Sequence, residues 1–96
     1  MAQRPRWTFI TSHALVLLNV ERRPDATVRE LAEEVGLTER QVHRVLGDLA
    51  AEGYIRRKRV RRQNHYTVDR SRPMRSRSTV EPQIGELLAT LNGGSG

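Results

Sequence analysis

Several residue types are absent or scarce in this chain of 96 residues, and each absence narrows the choice of function. There is no cysteine, which excludes disulfides and thiolate metal sites and suits a reducing compartment. Aromatic residues make up only 4% of the chain, so the core has to be built from Leu, Val, Ile and Ala. No apolar run approaches the roughly 20 residues of a membrane span, and no signal peptide is visible. We therefore expect one small domain in the cytoplasm and no membrane partner.

Acidic residues are outnumbered, and the excess of positive charge is concentrated in one part of the chain. The net charge is +6 and the pI is about 11.2. Residues 56–77 contain ten Lys or Arg and one acid, whereas the rest of the chain has seven basic and ten acidic residues. Such a concentration predicts an anionic partner, and charge alone allows DNA, RNA or anionic lipid.

Two short segments with the same local signature form the centre of the sequence. Thr27 followed by Glu30, and Thr38 followed by Gln41, each have the spacing of a capping box, which marks the start of a helix. Gly36 lies between them and suits the left-handed conformation at the end of the first helix. Two capped helices separated by a glycine turn are typical of a helix-turn-helix.

The second of these helices carries the predicted recognition surface. At about 3.6 residues per turn its apolar residues share one face, while the opposite face is basic at its start and small further along. Arg there can hold guanine O6 and N7, and Gln can hold adenine N6 and N7. Taken alone, Arg40 and Arg44 are better explained as a solvated face. The predicted inner residues are Val42, Val45, Leu46 and Leu49, and the outer residues are Arg40, Arg44, Gly47 and Ala51, with Gln41, His43 and Asp48 on the flanks.

The basic stretch that follows has the pattern of a β-hairpin. We expect its turn at residues 61–64, where Asn64 tolerates a positive φ. Tyr66 and Val68 share one face at period two, and residues 26–27 are expected to add a short third strand. A hairpin tip made of Arg is poorly explained within a neutral domain. It suits a phosphate backbone or a narrow minor groove.

Two further helices are predicted at the ends of the chain. Ser12 is expected to cap a central, largely apolar helix from His13 to about Arg22. Thr79 is expected to cap a last helix that runs to Leu91 and carries an apolar stripe. An isolated helix of about 13 residues is marginal in water, so the stripe has to dock. Docking on its own domain and contact with a second subunit are both open, and we favour the second subunit.

The central motifs resemble those of a known family. The runs Thr27–Ala32, Thr38–Leu46 and Glu52–Ile55, followed by the Arg-rich hairpin, are similar to bacterial winged helix-turn-helix regulators of the MarR/ArsR-like group, especially its small actinobacterial members. The resemblance implies a mainly α fold with a three-helix core, a wing of two or three strands and a C-terminal dimerisation helix. It also implies specific binding to double-stranded DNA, usually as a homodimer.

Residues and boundaries can be assigned on this basis. The resemblance places the recognition helix contacts at Thr38, Arg40, Gln41, His43 and Arg44, and the wing contacts at Arg57, Arg59, Arg61, Arg62, Gln63, Asn64 and His65. The expected dimer contacts are Trp7, Phe9, Ile84, Leu87, Leu88 and Leu91. The expected division is an arm at 1–11, the winged domain at 12–70, a basic linker at 71–78, the last helix at 79–92 and a tail at 93–96.

The hypothesis that follows is a cytoplasmic, nucleoid-associated regulator, acting as a repressor on a near-palindromic DNA site. The alternatives are a winged-helix module or anti-regulator that binds an acidic protein, and a non-specific architectural DNA binder. RNA binding is less favoured because the basic region has few aromatic residues for stacking. The three His are scattered and no Gly-rich phosphate loop follows a strand, so we expect no enzyme, no metal site and no cofactor. The sequence does not decide whether a small-molecule effector binds.

Overall fold

The computed structural model of the protein describes residues 10–73 and 83–92. In these residues the chain forms three helices, a two-stranded hairpin and a fourth helix. The predicted class, mainly α with a β-hairpin wing, is confirmed. The elements are α1 (Ser12–Arg22), α2 (Val28–Val35), α3 (Glu39–Ala51), β1 (Ile55–Val60), β2 (Gln63–Val68) and α4 (Ile84–Leu91).

Helix α1 is the central element, because it contacts α2, α3, β2 and α4. It begins one residue earlier than predicted, since Thr11, not Ser12, supplies the cap: the Thr11 hydroxyl accepts the backbone N–H of Ala14 at 3.2 Å. Val16 and Val20 are fully buried. Asn19 is the one buried polar residue of the described chain, and its side-chain amide donates to the carbonyl of Leu15 at 2.8 Å. This hydrogen bond offsets part of the cost of burying the amide.

The helix-turn-helix is confirmed in detail. Helices α2 and α3 both begin with a complete capping box, in which Thr27 pairs with Glu30 and Thr38 with Gln41. Gly36 ends α2 with φ of 71°, a conformation that a residue with a Cβ adopts at a cost of about 1 kcal/mol or more. The short turn brings the inner face of α3 against α1 and α2.

The wing is an antiparallel hairpin whose register runs from Ile55 opposite Val68 to Val60 opposite Gln63. This register leaves a turn of only two residues, Arg61 and Arg62. The expected four-residue turn is therefore wrong. Asn64 lies within β2, and the positive φ values belong to Arg61 and Arg62.

The expected third strand at residues 26–27 is not formed. Ala26 and Thr27 lie outside any strand, and one hydrogen bond joins this loop to the wing: the backbone N–H of Tyr66 donates to the carbonyl of Pro24 at 2.9 Å. The Pro24–Asp25 turn at this point leaves too little extended chain for a ladder. Strand β2 therefore has the loop on one side and β1 on the other, and the described wing has two strands.

Helix α4 begins at Ile84, later than predicted, with Gln83 as its N-cap. Gln83 forms a β-bridge with Pro73, which ties the start of the helix to the end of the wing. The predicted cap at Thr79 lies outside the described residues. Two residues of the predicted stripe, Ile84 and Leu88, are buried in the chain's own core at 2% and 1% exposure. The core residues are Val16, Leu17, Val20, Ala26, Leu31, Ala32, Val42, Val45, Leu46, Leu49, Ile55, Tyr66, Ile84 and Leu88.

Candidate nucleic-acid interface

Helix α3 has one buried face and one exposed face, as its sequence predicts. Its four buried residues are Val42, Val45, Leu46 and Leu49. Gly47 and Ala51 are exposed further along the same side. The five residues assigned to recognition are also all exposed: Thr38, Arg40, Gln41, His43 and Arg44. Packing of the inner face fixes the rotation of α3 about its own axis. This rotation exposes the five side chains to solvent.

The guanidinium groups of Arg40 and Arg44 have no ion-pair or hydrogen-bond partner among the described residues. Other arginines of the helix-turn-helix region are paired: Arg23 contacts Glu30 at 2.9 Å and Glu34 at 3.6 Å, and Arg29 contacts Glu33 at 3.7 Å. Arg40 and Arg44 are therefore available for a partner outside the chain.

The capping box of α3 engages two of the assigned recognition residues. The Gln41 side-chain carbonyl accepts the backbone N–H of Thr38 at 2.9 Å and lies 3.2 Å from the Thr38 hydroxyl. In return, the Thr38 hydroxyl accepts the backbone N–H of Gln41 at 3.1 Å. These bonds satisfy orphan N–H groups at the start of the helix, so part of the polar chemistry of this surface is already used.

The flank of α3 is tied to α1 by a contact that the sequence did not reveal. Nε2 of His13 lies 2.8 Å from a carboxylate oxygen of Asp48, with both side chains about half exposed. The two residues are 35 positions apart, and their pairing depends on the crossing of two helices. Local spacing gave no signal for it.

The wing divides its basic residues between two faces. Because β1 pairs with β2 in register, Arg57 and Arg59 lie on the face of Tyr66 and Asn64, while Arg56 and Lys58 lie on the opposite face. Asn64 is half-buried and the other assigned wing residues are exposed. Arg56 and Lys58 are also exposed, on the face opposite Arg57 and Arg59, and were not among the assigned wing residues. The assigned wing residues are Arg57, Arg59, Arg61, Arg62, Gln63, Asn64 and His65.

Tyr66 is a core residue and does not offer a stacking surface. Its side chain is buried, and this burial raises the pKa of the phenol, while the nearby charge of Arg57 acts in the opposite direction. A buried ring cannot receive a nucleic-acid base, so the wing lacks the aromatic platform that single-stranded recognition uses.

The base of the wing is joined to α4 through residues 69–73. The Tyr54 hydroxyl donates to the carbonyl of Pro73 at 2.8 Å, and Arg70 pairs with Glu21 and donates to the carbonyl of Gly85 at 3.0 Å. Hydrogen bonds from the hydroxyl and backbone N–H of Ser71 lower the pKa of Asp69. The sequence pattern suggested a solvated linker from residue 71, whereas residues 71–73 are held against the domain.

The six expected dimer contacts fall into three groups. Trp7 and Phe9 lie outside the described residues. Ile84 and Leu88 are buried in the core of their own chain and have almost no surface left for a partner. Leu87 is half-buried and Leu91 is 38% exposed, so α4 retains a narrow apolar edge.

Other kinds of site find no support in the part of the chain that the structure describes. Residues 10–73 and 83–92 contain no cluster of three or more His, Asp or Glu able to hold a metal ion. Nor is any helix in these two ranges both long and apolar enough to cross a membrane.

Comparison with known proteins agrees with this architecture. A model of the MarR family matches residues 8–63, more than half of the chain, and the match covers α1 to α3, β1 and the turn of the wing. No curated protein matches the chain. The resemblance to MarR regulators is confirmed, and members of that family are DNA-binding transcription regulators rather than enzymes. The chain belongs to the MarR family.

Proposed function

We propose that this protein is a sequence-specific transcriptional repressor that binds a near-palindromic site in double-stranded DNA as a homodimer. In this proposal α3 enters the major groove, the wing contacts the flanking backbone and minor groove, and the protein resides on the nucleoid. The family supplies the general class of function. The specific site, the repressor role and the dimer are inferences from residues.

The exposure of Arg40 and Arg44 on a helix whose other face is buried carries the proposal. Both guanidinium groups lack partners among the described residues, so contact with bases breaks no ion pair within residues 10–73 and 83–92. A free Arg can hold guanine O6 and N7 with two hydrogen bonds, the commonest specific contact in the major groove. N-terminal residues of the second helix reach base edges in helix-turn-helix docking.

The wing should contribute to DNA affinity in a way that does not depend on the base sequence. Arg61 and Arg62 occupy the tip, and four more basic residues lie along β1 on both faces. A cluster of this kind releases counterions from the duplex when it binds, which makes affinity fall steeply with salt. Arg at the tip is also attracted to a narrow minor groove.

The dimer rests on a smaller set of residues than first expected. Leu87 and Leu91 give α4 an apolar edge beside the buried Ile84 and Leu88. We propose that this edge, with Trp7 and Phe9, forms the contact between subunits. Two-fold pairing would place two copies of α3 about one helical turn apart, roughly 34 Å, which requires an inverted repeat.

Selection of bound duplexes from a random pool tests the proposal directly. We expect an inverted repeat whose affinity resists salt better than that of random DNA when both are titrated at two salt concentrations. Sedimentation of the same sample should give twice the chain mass of 11.0 kDa. Strong binding without a motif would favour an architectural coat, and no binding to any duplex would refute the proposal.

Two single variants on α3 test whether Arg44 contacts a base or a phosphate. Arg44→Ala should weaken the selected site by about 1–3 kcal/mol and relax the preference at one base pair, with little effect on random DNA. Glu39→Ala on the same helix is the matched control, because Glu39 is exposed but lies off the outer face. An equal loss on specific and random DNA would show that Arg44 contacts phosphate and not a base.

A further inference from the structure

The side-chain carbonyl of Gln41 is fully engaged within α3. It accepts the backbone N–H of Thr38 at 2.9 Å, and the Thr38 hydroxyl lies 3.2 Å away. The orientation of the amide follows from this contact, because only the oxygen can accept from a backbone N–H. Both lone pairs of the carbonyl oxygen therefore have partners inside the chain, and only the amide N–H₂ group points to solvent.

This engagement competes with the chemistry by which Gln reads adenine. The bidentate contact needs the Gln carbonyl to accept from adenine N6 while its N–H₂ donates to N7. Gln41 can reach that geometry only by releasing the backbone N–H of Thr38, which breaks one of the two reciprocal bonds of the capping box.

At the centre of the exposed face of α3 the other charged groups are also hydrogen-bond donors, whereas the carboxylate of Glu39 is exposed but lies off this face. The guanidinium groups of Arg40 and Arg44 carry N–H donors and no acceptor. Asp48 carries acceptor oxygens on the flank, but its carboxylate is paired with His13 at 2.8 Å. His43, which has one donor and one acceptor when neutral, is the exception on this face.

The side chain that completes the capping box is charged in α2 and neutral in α3. In α2 the box residue is Glu30, which also contacts Arg23 at 2.9 Å and so lies in a locally paired environment. In α3 the equivalent residue is the neutral Gln41. A carboxylate at position 41 would cap equally well, but it would add a second negative charge to the first turn of α3, which already holds Glu39, and would repel phosphates.

We infer that α3 recognises its site through the hydrogen-bond acceptors of the major groove, guanine O6 and N7 above all, and that Gln41 is a positioning residue that reads no base. The inference rests on the proposed binding of double-stranded DNA and specifies which bases it uses. Thymine O4 and adenine N7 are the remaining acceptors that these donors can reach. The amino groups of adenine and cytosine are not read by Arg40, Gln41 or Arg44.

Base analogues test this assignment on the intact protein. In the duplex selected by the wild type, 7-deazaguanine in place of guanine removes the N7 acceptor, and purine in place of adenine removes the 6-amino donor, while the rest of each base is kept. We expect 7-deazaguanine at the contacted position to weaken binding by at most about 5- to 140-fold, the range equivalent to a bidentate contact. Loss of the amino group at each adenine should leave binding within about twofold.

Variants of Gln41 distinguish a capping role from base reading, because capping changes stability and base reading changes the selected motif. Gln41→Glu keeps the capping box, so its melting temperature should match the wild type while all duplexes bind more weakly and the selected motif stays the same. Gln41→Ala should melt earlier, again with an unchanged motif. Arg44→Ala is the contrasting variant and should lose the preference at one guanine.

Three results would contradict the inference, and one of them would also refute the proposed function. A motif that loses an adenine preference in Gln41→Ala, with a matching loss when purine replaces that adenine, would overturn the inference while leaving the proposed function standing. A selected site without guanine at the positions sensitive to Arg40 or Arg44 would do the same. Absence of any preferred duplex for the wild type would refute the proposed function itself, and the inference with it.

Discussion

Arg61 and Arg62 together form the whole turn of the wing, and both have positive φ, 50° and 69°. Positive φ at both central residues is the signature of a type I′ turn, whose twist matches that of the flanking strands. Asn-Gly is the usual pair at these positions, because a Cβ in the left-handed region is crowded by the following carbonyl. The chain thus places two arginines where the backbone favours other residues.

The double variant Arg61→Asn, Arg62→Gly should therefore be more stable and bind DNA less well. Relief of the left-handed strain should raise the free energy of unfolding by about 1–2 kcal/mol. Loss of two charges should make the dependence of log affinity on log salt shallower by up to about 1.8. Urea unfolding and titrations at several salt concentrations measure the two effects.

Lysine at both positions is the matched control, because it keeps the charges and the Cβ atoms. Arg61→Lys, Arg62→Lys should stay close to the wild type in stability and in salt dependence. A more stable Asn-Gly variant with an unchanged salt slope would remove the turn from the DNA contact. An Asn-Gly variant of unchanged stability would mean that the arginines are not strained.

Two helical glycines should respond oppositely to the same substitution. A Cβ on Gly85 would lie 3.0 Å from the carbonyl oxygen of Arg70 and 3.2 Å from its Cβ, at the place where α4 meets the base of the wing. Gly85→Ala should therefore lower the free energy of unfolding by about 1–3 kcal/mol. Gly47 has nothing within 4 Å of such a Cβ. Gly47→Ala should raise the free energy of unfolding by up to about 1 kcal/mol, because Ala is a better helix former than Gly.

Thermal and urea unfolding of both glycine variants test the pair. A change of the same sign in the free energy of unfolding of both variants would contradict the close approach of α4 to Arg70. Titration of Gly47→Ala with the selected duplex adds a second reading, since Gly47 lies on the exposed side of α3. A stable variant with weaker binding would place that part of the helix close to DNA.

Features encoded by neighbouring residues were predictable. The two capping boxes, the end of α2 at Gly36 and the buried face of α3 all depend on residues within a few positions of one another, and all were correct. The turn of the wing was not, because an Arg-Arg pair at positive φ runs against local preference. Pairing of β1 with β2 imposed that conformation.

Contacts between distant residues were beyond the sequence for a different reason. The pairing of His13 with Asp48 depends on how two helices cross, and no spacing rule encodes that angle. The apolar stripe of α4 was recognised correctly, but periodicity alone cannot say whether such a stripe docks on its own chain or on another. Ile84 and Leu88 dock on their own chain.

Substitutions in α4 should separate folding from association. Ile84 is 2% exposed, so Ile84→Val should lower the free energy of unfolding by about 0.5–1.5 kcal/mol without changing the oligomeric state. Leu91 is 38% exposed, so Leu91→Ala should change stability little and weaken the dimer. Urea unfolding and sedimentation over a tenfold range of concentration measure both. A dimer weakened by Ile84→Val but not by Leu91→Ala would contradict this division of roles.

The acid sensitivity of the fold should depend on Glu30. Hydrogen bonds from the backbone N–H and the hydroxyl of Thr27, together with the contact from Arg23, lower the pKa of the Glu30 carboxyl. A carboxyl with a lowered pKa in the folded state contributes stability in full above its ordinary pKa of about 4 and loses it as the pH falls through the folded value. The urea midpoint of the wild type should therefore decline below about pH 4.

Glu30→Gln isolates that contribution, because Gln retains a carbonyl for the capping box, as Gln41 does in α3. The variant should keep a folded α2 at neutral pH and show a smaller decline of the urea midpoint on acidification. Some decline should persist, since hydrogen bonds from Ser71 lower the pKa of Asp69 in the same direction. Glu30→Ala, which lacks the carbonyl, should be less stable than Glu30→Gln at every pH. If Glu30→Gln declined as steeply as the wild type, the acid sensitivity would have to be assigned to carboxyl groups outside this capping box.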